Sequence, residues 1–187
     1  MTQAMIEDAD GTVTQIGDGL YELRFERFYR FPLPKVWAAI TDPERLADWL
    51  AQAGVDLRLG GEFALTWPTL DYSMSGRIVA FEPPRLLAWT WPDPKDPDGP
   101  ASVVRWELAE APGGCRLVLT NGPIRSADLV SVAGGWHAHL EDLHRAGPAA
   151  PSPWSAEHEQ ARLKHELAEI APRYRARLAG QAADATG

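Results

Sequence analysis

The sequence predicts an α+β domain in which a curved antiparallel sheet lies against one long helix. Three observations predict it. Phe63, Leu65 and Trp67 alternate with Glu62, Ala64 and Thr66, and Val104, Trp106 and Leu108 alternate with Val103, Arg105 and Glu107, the period of strands with one buried face. Between Ser126 and Ala146 the apolar spacing changes to threes and fours, the period of a helix. Turns rich in Gly and Pro punctuate the strand-like runs.

Taken in order, Thr12 to Ile16, Gly17-Asp18-Gly19 and Leu20 onward read as a hairpin, because Gly and Asp supply the positive φ values of a tight turn. Its second arm carries Tyr21, Leu23, Phe25, Arg27, Tyr29 and Phe31 on one face, so Arg27 is expected to point inward. Pro34 opens a short helix with Val36, Trp37 and Ile40 as its stripe. Thr41-Asp42-Pro43-Glu44 caps a second, which buries Leu46, Trp49 and Leu50. A meander follows, in which the runs 72–81 and 86–91 are apolar on both faces and leave their inward side open, with Pro83-Pro84 between them. The stretch 92–100 is an acidic, proline-stiffened loop expected to protrude. The last strand places Cys115, Leu117, Leu119 and Asn121 on one face and is expected to stop at Gly122-Pro123. The long helix carries Leu129, Val132, Trp136, Leu140 and Leu143; residues 147–153 form a linker; and Ser155 caps a final helix with Leu163, Leu167, Ile170, Tyr174 and Leu178, which Pro172 should end or kink.

The composition fits one globular domain: 187 residues, 45% hydrophobic, 24% charged, with eight tryptophans. A net charge of -8, from 26 acidic and 18 basic side chains, opposes binding to nucleic acid or to an anionic membrane surface. Cys115 is the single cysteine, which excludes an internal disulfide and suits a reducing, cytoplasmic setting. The N-terminus has no basic and apolar leader, and no stretch reaches the roughly 18 apolar residues of a membrane span.

The order of strand, two short helices, six-stranded meander and long helix is the helix-grip arrangement, and three strings in it resemble one family. Residues 31–49 (FPLPKVWAAITDPERLADW), 76–86 (GRIVAFEPPRL) and 135–143 (GWHAHLEDL) are similar, in the same order, to bacterial homologues of the activator of heat shock protein 90 ATPase, within the START-like (SRPBCC) superfamily. The resemblance covers about 12–146. It implies a cavity between sheet and helix: members bind lipids, polyketides and hormones, a few are cyclases or dehydratases, and eukaryotic namesakes regulate a chaperone. Many relatives carry histidine where this chain has Asn121.

On that frame the expected divisions are a flexible N-terminus at 1–11, a START-like domain at 12–146, and a linker with a helical extension at 147–187. The expected function is binding of an apolar or aromatic small molecule, with Phe63, Trp67, Trp106, Leu119, Trp136 and Leu140 lining the cavity and Arg27 or Asn121 as its polar handle, since these residues alternate onto enclosed faces. Gly134-Gly135 costs a helix about 1 kcal/mol per glycine and implies room for a ligand beneath the helix, close packing of helix on sheet, or a break between two shorter helices. His137, Glu141 and His144 have a spacing that zinc could use, but they flank the apolar stripe and are expected to be solvated. No nucleophile elbow, phosphate loop or Cys-x-x-Cys pair is present, and no catalytic residue, metal or cofactor is expected. A cyclase- or dehydratase-like enzyme on the same pocket and a chaperone-regulating interaction module, with a protein partner, are the alternatives.

Overall fold

The computed structural model of the chain describes residues 10–93, 101–146 and 155–184. The expectations placed on residues 1–9, on most of the acidic loop (94–100), on the linker (147–153) and on the tail from 185 lie outside the described residues.

β1 (Thr12–Gly17) and β2 (Leu20–Tyr29) pair as the expected hairpin, with Gly19 at a φ of 66°. Along β2 the alternation runs through Leu23, Phe25 and Tyr29 without a reset, so Arg27 does point inward. α1 (Leu33–Thr41) and α2 (Pro43–Trp49) follow. Asp42 is the cap of α2, accepting from the Glu44 N–H at 3.0 Å, while Thr41 closes α1 by donating to the Trp37 carbonyl.

β3 (Gln52–Val55), β4 (Glu62–Trp67), β5 (Tyr72–Glu82), β6 (Leu86–Trp91), β7 (Ser102–Ala111) and β8 (Gly114–Arg125) build the meander. Among the described residues eight strands form one antiparallel sheet in the order β1-β2-β8-β7-β6-β5-β4-β3. Met74 and Ile78 of β5 and Leu87 and Trp89 of β6 take the inward positions that periodicity left open. On the outer face Arg116 of β8 grips Glu26 of β2 through both nitrogens, and with help from Arg24 holds that carboxyl down at about 2. β8 does not stop at Gly122-Pro123 as expected. Its pairing with β7 ends at Gly122, and beyond that point it pairs only with β2, across a register shift that accommodates Pro123.

α3 (Ser126–Ala146) is continuous through Gly134-Gly135 and lays Trp136, Leu140 and Leu143 against the sheet side. Its opposite flank is also covered. α4 (Ala156–His165), a π turn at Glu166–Ile170 and α5 (Ala171–Asp184) run along it as a second layer. Ser155 caps α4 as expected. The π turn falls just ahead of Pro172, where the ring and the missing N–H interrupt the α-helical ladder, and its extra residue changes which side chains face inward. Leu167, expected on the buried stripe, is therefore 57% exposed, and the inward line runs through Glu159, Arg162 and Glu166 to Ile170 and Tyr174. The same layer corrects the expectation for α3: His137, which the apolar stripe assigned to a wet flank, is buried beneath α4 and α5, as is Asp142, while Glu141 and His144 remain wetter.

At Gly76 the backbone of β5 comes close against β6. A Cβ there would lie 1.7 Å from the Thr90 carbonyl oxygen, and the Arg77 N–H donates to the Thr90 hydroxyl at the same place. Backbone cannot yield as a side-chain tip can, so Gly76→Ala should cost about 3 kcal/mol, the upper part of the range for an overpacked core. A urea midpoint within about 0.5 kcal/mol of the parent would show that the strands separate there without penalty.

Candidate ligand cavity

Six of the eight tryptophans form two groups. Phe63 and Trp89 stack at 3.9 Å, Trp89 lies 6.2 Å from Trp106, and Trp49 meets Trp106 edge-on at 6.0 Å, giving a closed aromatic core. Trp67, Tyr72, Trp91 and Trp136 form a second array: Trp67 stacks on Tyr72 at 5.5 Å and faces Trp91 at 5.9 Å, and Trp91 meets Trp136 edge-on at 5.9 Å. This second array is one wall of a cavity of about 610 Å³. Leu50 after α2, Leu70 in the turn after β4, Ile124 at the end of β8, Val132 and Gly135 of α3 and Leu163 of α4 complete its apolar lining.

Trp136 belongs to both arrays, touching Trp106 at 5.6 Å as well as Trp91. Its indole N–H donates to the Asn121 side-chain oxygen at 3.0 Å, and the Asn121 amide donates to Ser102 Oγ at 2.6 Å and to the Val103 carbonyl at 3.1 Å. Asn121 thus lines the cavity with its polar atoms already engaged, which makes it a clamp for Trp136. The Ser102 hydroxyl, accepting from Asn121, keeps its own proton to donate.

Of the residues expected to form the site, Trp67, Asn121 and Trp136 line the cavity. Phe63, Trp106, Leu119 and Leu140 do not; each is fully buried in the core. Alternation identified their inward face correctly, yet an inward face of a bent sheet is packed at one end and open at the other. Arg27 does not reach the cavity either. Its guanidinium lies 5.6 Å over the Phe25 ring and donates to the Glu26 carbonyl, on the side of the sheet end where Tyr29 and Tyr174 sit.

The two glycines of α3 serve different neighbours. A Cβ on Gly134 would press on the Glu166 side chain at 3.2 Å, so this glycine lets α4 and the π turn approach α3; a Cβ on Gly135 would meet nothing within 4 Å, because that position faces the cavity. The packing partner is a second helix, where sequence reasoning looked to the sheet.

Sequence reasoning also missed the cavity's polar wall, made by His139 of α3 with Arg162 near the end of α4 and Glu166 at the start of the π turn. His139 Nδ1 lies 2.8 Å from the Trp49 carbonyl, which can only accept, so Nδ1 carries the proton and Nε2 is a bare acceptor. The signal for this wall lay in the spacing Glu159, Arg162, Glu166, a charged line at helical intervals that reads as solvated surface until a cover is known. Asp93, Arg125 and Asp128, half-exposed and joined by ion pairs, sit at the cavity's wetter end.

The remaining histidines fasten the C-terminal layer. His137 lies between Tyr174 Oη at 3.1 Å and Glu141 at 3.3 Å, His158 binds Asp142 at 3.0 Å and His165 binds Glu141 at 3.0 Å. His137 and Glu141 therefore serve the helix contact, and His144 stands apart beside Tyr29. Cys115 is fully buried, and burial pushes its thiol up, away from reactivity.

A curved eight-stranded sheet gripping a long helix, with a cavity between them, defines a START-like protein. Residues 30–146 match the family described as activator of Hsp90 ATPase homolog 1-like protein, and the chain belongs to that family. α4 and α5 lie beyond the matched residues. No curated protein matches the chain. Among solved structures it is similar to CalU16 from Micromonospora echinospora, 28% identical over 85% of this chain and 91% of that one with a TM-score of 0.61. It is also similar to MLL2253 from Mesorhizobium loti, at 26% identity over 66% of this chain and 94% of that one with a TM-score of 0.60. DynU16, a protein of the dynemicin biosynthetic locus, shares the fold at 20% identity over 74% of this chain and 51% of that one, TM-score 0.63. No helix among the described residues is long and apolar enough to cross a membrane.

Burial pushes the His139 imidazole well below its usual value, with the Arg162 charge adding to the effect, and burial lowers His137 in the same direction. An unfolded histidine takes up a proton near pH 6.5 that these folded ones refuse, so their contribution is complete above about pH 6.5 and is lost as the pH falls below it. Glu166, pushed up by burial, acts the other way: its contribution is complete below about pH 4.5 and is lost as the pH rises through its folded value. Two histidines, one strongly shifted, outweigh one carboxyl in the window from about pH 7.5 to 5.5, so Tm should fall on acidification across it. His139→Gln, which keeps a donor for the Trp49 carbonyl, should flatten that slope; an unchanged slope would place the protonation elsewhere.

Proposed function

We propose that the chain binds an apolar or aromatic small molecule between its sheet and α3. The observation that carries this reading is the cavity itself: about 610 Å³, within the range of small-molecule sites, and walled on one side by Trp67, Tyr72, Trp91 and Trp136, with charged groups gathered on the His139 wall and at the wetter end. A surface for a protein partner has less support: of the exposed large apolar side chains among the described residues, Leu57 and Leu59 share the loop that bonds to β5 beside Val79, while Ile16 on β1, Leu70 after β4 and Leu167 in the π turn stand on other elements. His139 and Glu166 on the polar wall favour, as a second reading, a cyclase- or dehydratase-like reaction in the same cavity, with neutral His139 as the base and Glu166, its carboxyl pushed up by burial, as the acid.

Gly135→Leu and Trp106→Leu separate the cavity from the core. Leucine at 135 extends into open space and improves helix propensity, so the fold should be as stable as the parent or up to about 1 kcal/mol more so, while binding of the uncharged dye N-phenylnaphthylamine weakens at least about tenfold. Trp106→Leu should lose about 3 kcal/mol of stability, as for truncation of a packed aromatic, with dye affinity nearly unchanged. Dye fluorescence and thermal melts read both. Full dye binding by the Gly135 variant would remove the cavity as the site.

A further inference from the structure

We propose that His139 and Arg162 form a hydroxyl-recognition subsite in this cavity, selecting aromatic ligands that carry an uncharged phenolic O–H over bare hydrocarbons and over carboxylates. The inference rests on the apolar-cavity reading above and specifies the chemistry of its ligand.

Three observations carry it. First, the Arg162 side chain is 6% exposed and lines the cavity, yet it forms no hydrogen bond with any described residue: the nearest carboxylate oxygens, of Glu166 and Asp142, lie at 3.6 and 3.9 Å, beyond hydrogen-bond reach. A guanidinium with its donors unspent, nine-tenths buried on a cavity wall, is half of a binding site whose other half is an oxygen atom. Second, His139 Nδ1–H is committed to the Trp49 carbonyl, so Nε2, which makes no hydrogen bond with any described residue, offers a lone pair from the same wall. The charge of Arg162 and burial together keep that imidazole neutral, so it stays an acceptor. One group that accepts from a guanidinium and donates to an imidazole is a hydroxyl. Third, the space beside this wall is aromatic: the Trp67 ring lies 6.3 Å from His139 and is itself stacked with Tyr72, so a ring bearing the hydroxyl finds indole faces to lie on.

Charge selects against an anion. Glu166 and Asp142 already flank Arg162, and Glu159 lies close enough to act on its charge, so a carboxylate would enter among carboxylates and face the lone pair of His139 as well. A phenol brings no charge and fits both partners. Because Arg162 comes from α4, the selectivity belongs to the part of the chain beyond the family match.

The test compares naphthalene, β-naphthol and β-naphthoate on the full chain by calorimetry at neutral pH. Naphthalene is the more hydrophobic, so a plain apolar cavity ranks it first. The subsite predicts that β-naphthol binds at least about tenfold tighter than either of the others, the worth of one or two net hydrogen bonds. Arg162→Met and His139→Phe should each collapse that preference while naphthalene binding survives. The wild-type ranking decides by itself if a variant fails to fold. Equal binding of naphthalene and β-naphthol, tightest binding of β-naphthoate, or a preference that survives in both folded variants would overturn the subsite and leave the apolar cavity standing. Failure of all three compounds, together with the dye, would overturn both.

Discussion

The indole of Trp136 is the constraint on which the cavity depends. Its ring touches both the closed core, through Trp106, and the open array, through Trp91, and its N–H is tied to Asn121. A buried indole N–H without a partner is costly, so the hydrogen bond does more than orient a side chain; it sets where the packed interior ends. Asn121 can hold it because β8 is itself locked to β7 at that point, the Asn121 amide reaching both Ser102 and the Val103 carbonyl. A histidine at position 121, as the resemblance leads one to expect, offers two ring nitrogens where the asparagine makes three bonds, so this chain's cavity edge is fixed in its own manner.

The polar wall depends in turn on a second helix layer that the family match does not include. Gly134 admits Glu166 to the face of α3, and the π turn before Pro172 rotates the C-terminal helix so that Arg162 and Glu166 face inward while Leu167 is turned out. The layer is fastened by paired charges: Asp10 with Arg177 at 3.0 Å and with Arg173, Asp142 with His158, Glu141 with His165. The Gly11 N–H adds a bond to the Tyr174 hydroxyl at 2.8 Å, so the start of the hairpin and the last helix hold each other. Exposed ion pairs of this kind contribute little individually, and the apolar anchors Ile170 and Tyr174, both fully buried, supply most of the attachment.

Most strands, both short helices and the bounds of α3 were legible in the sequence because period and turn chemistry agreed there, as at Phe63, Leu65 and Trp67 or at Asp42-Pro43, whereas β3 and the run of β8 past Gly122 were not. The cavity was only partly legible. Alternation places Trp67 and Trp106 on the same face and cannot say that one borders empty space while the other is wedged between Trp49, Trp89 and Trp136, since that depends on how far each stretch of the sheet stands from the helix. The burial of His137, Arg162 and Glu166 was illegible for a different reason. An apolar stripe on a helix identifies its first partner, and nothing in α3 read alone announces a second one.

That second partner changes what the cavity offers. With sheet and α3 alone, its depth would be lined chiefly by Trp67, Tyr72, Trp91, Val132 and Trp136, with His139 as the polar side chain beside them and Asn121 already spent on Trp136, a surface that discriminates mostly by size and shape, where one methylene more or less changes affinity only modestly. Adding Arg162 and Glu166 on the wall of His139 places donors and an acceptor beside an aromatic space, where a ligand that leaves them unmatched forfeits far more than a methylene's worth of binding. The fold thus supplies the volume, and the helical extension supplies the discrimination. Because the extension is held at the surface by His158 and His165 paired with carboxylates, and at depth by Ile170 and Tyr174, it is a fixed wall whose chemistry can vary while the sheet, α3 and the Trp136–Asn121 clamp stay as they are.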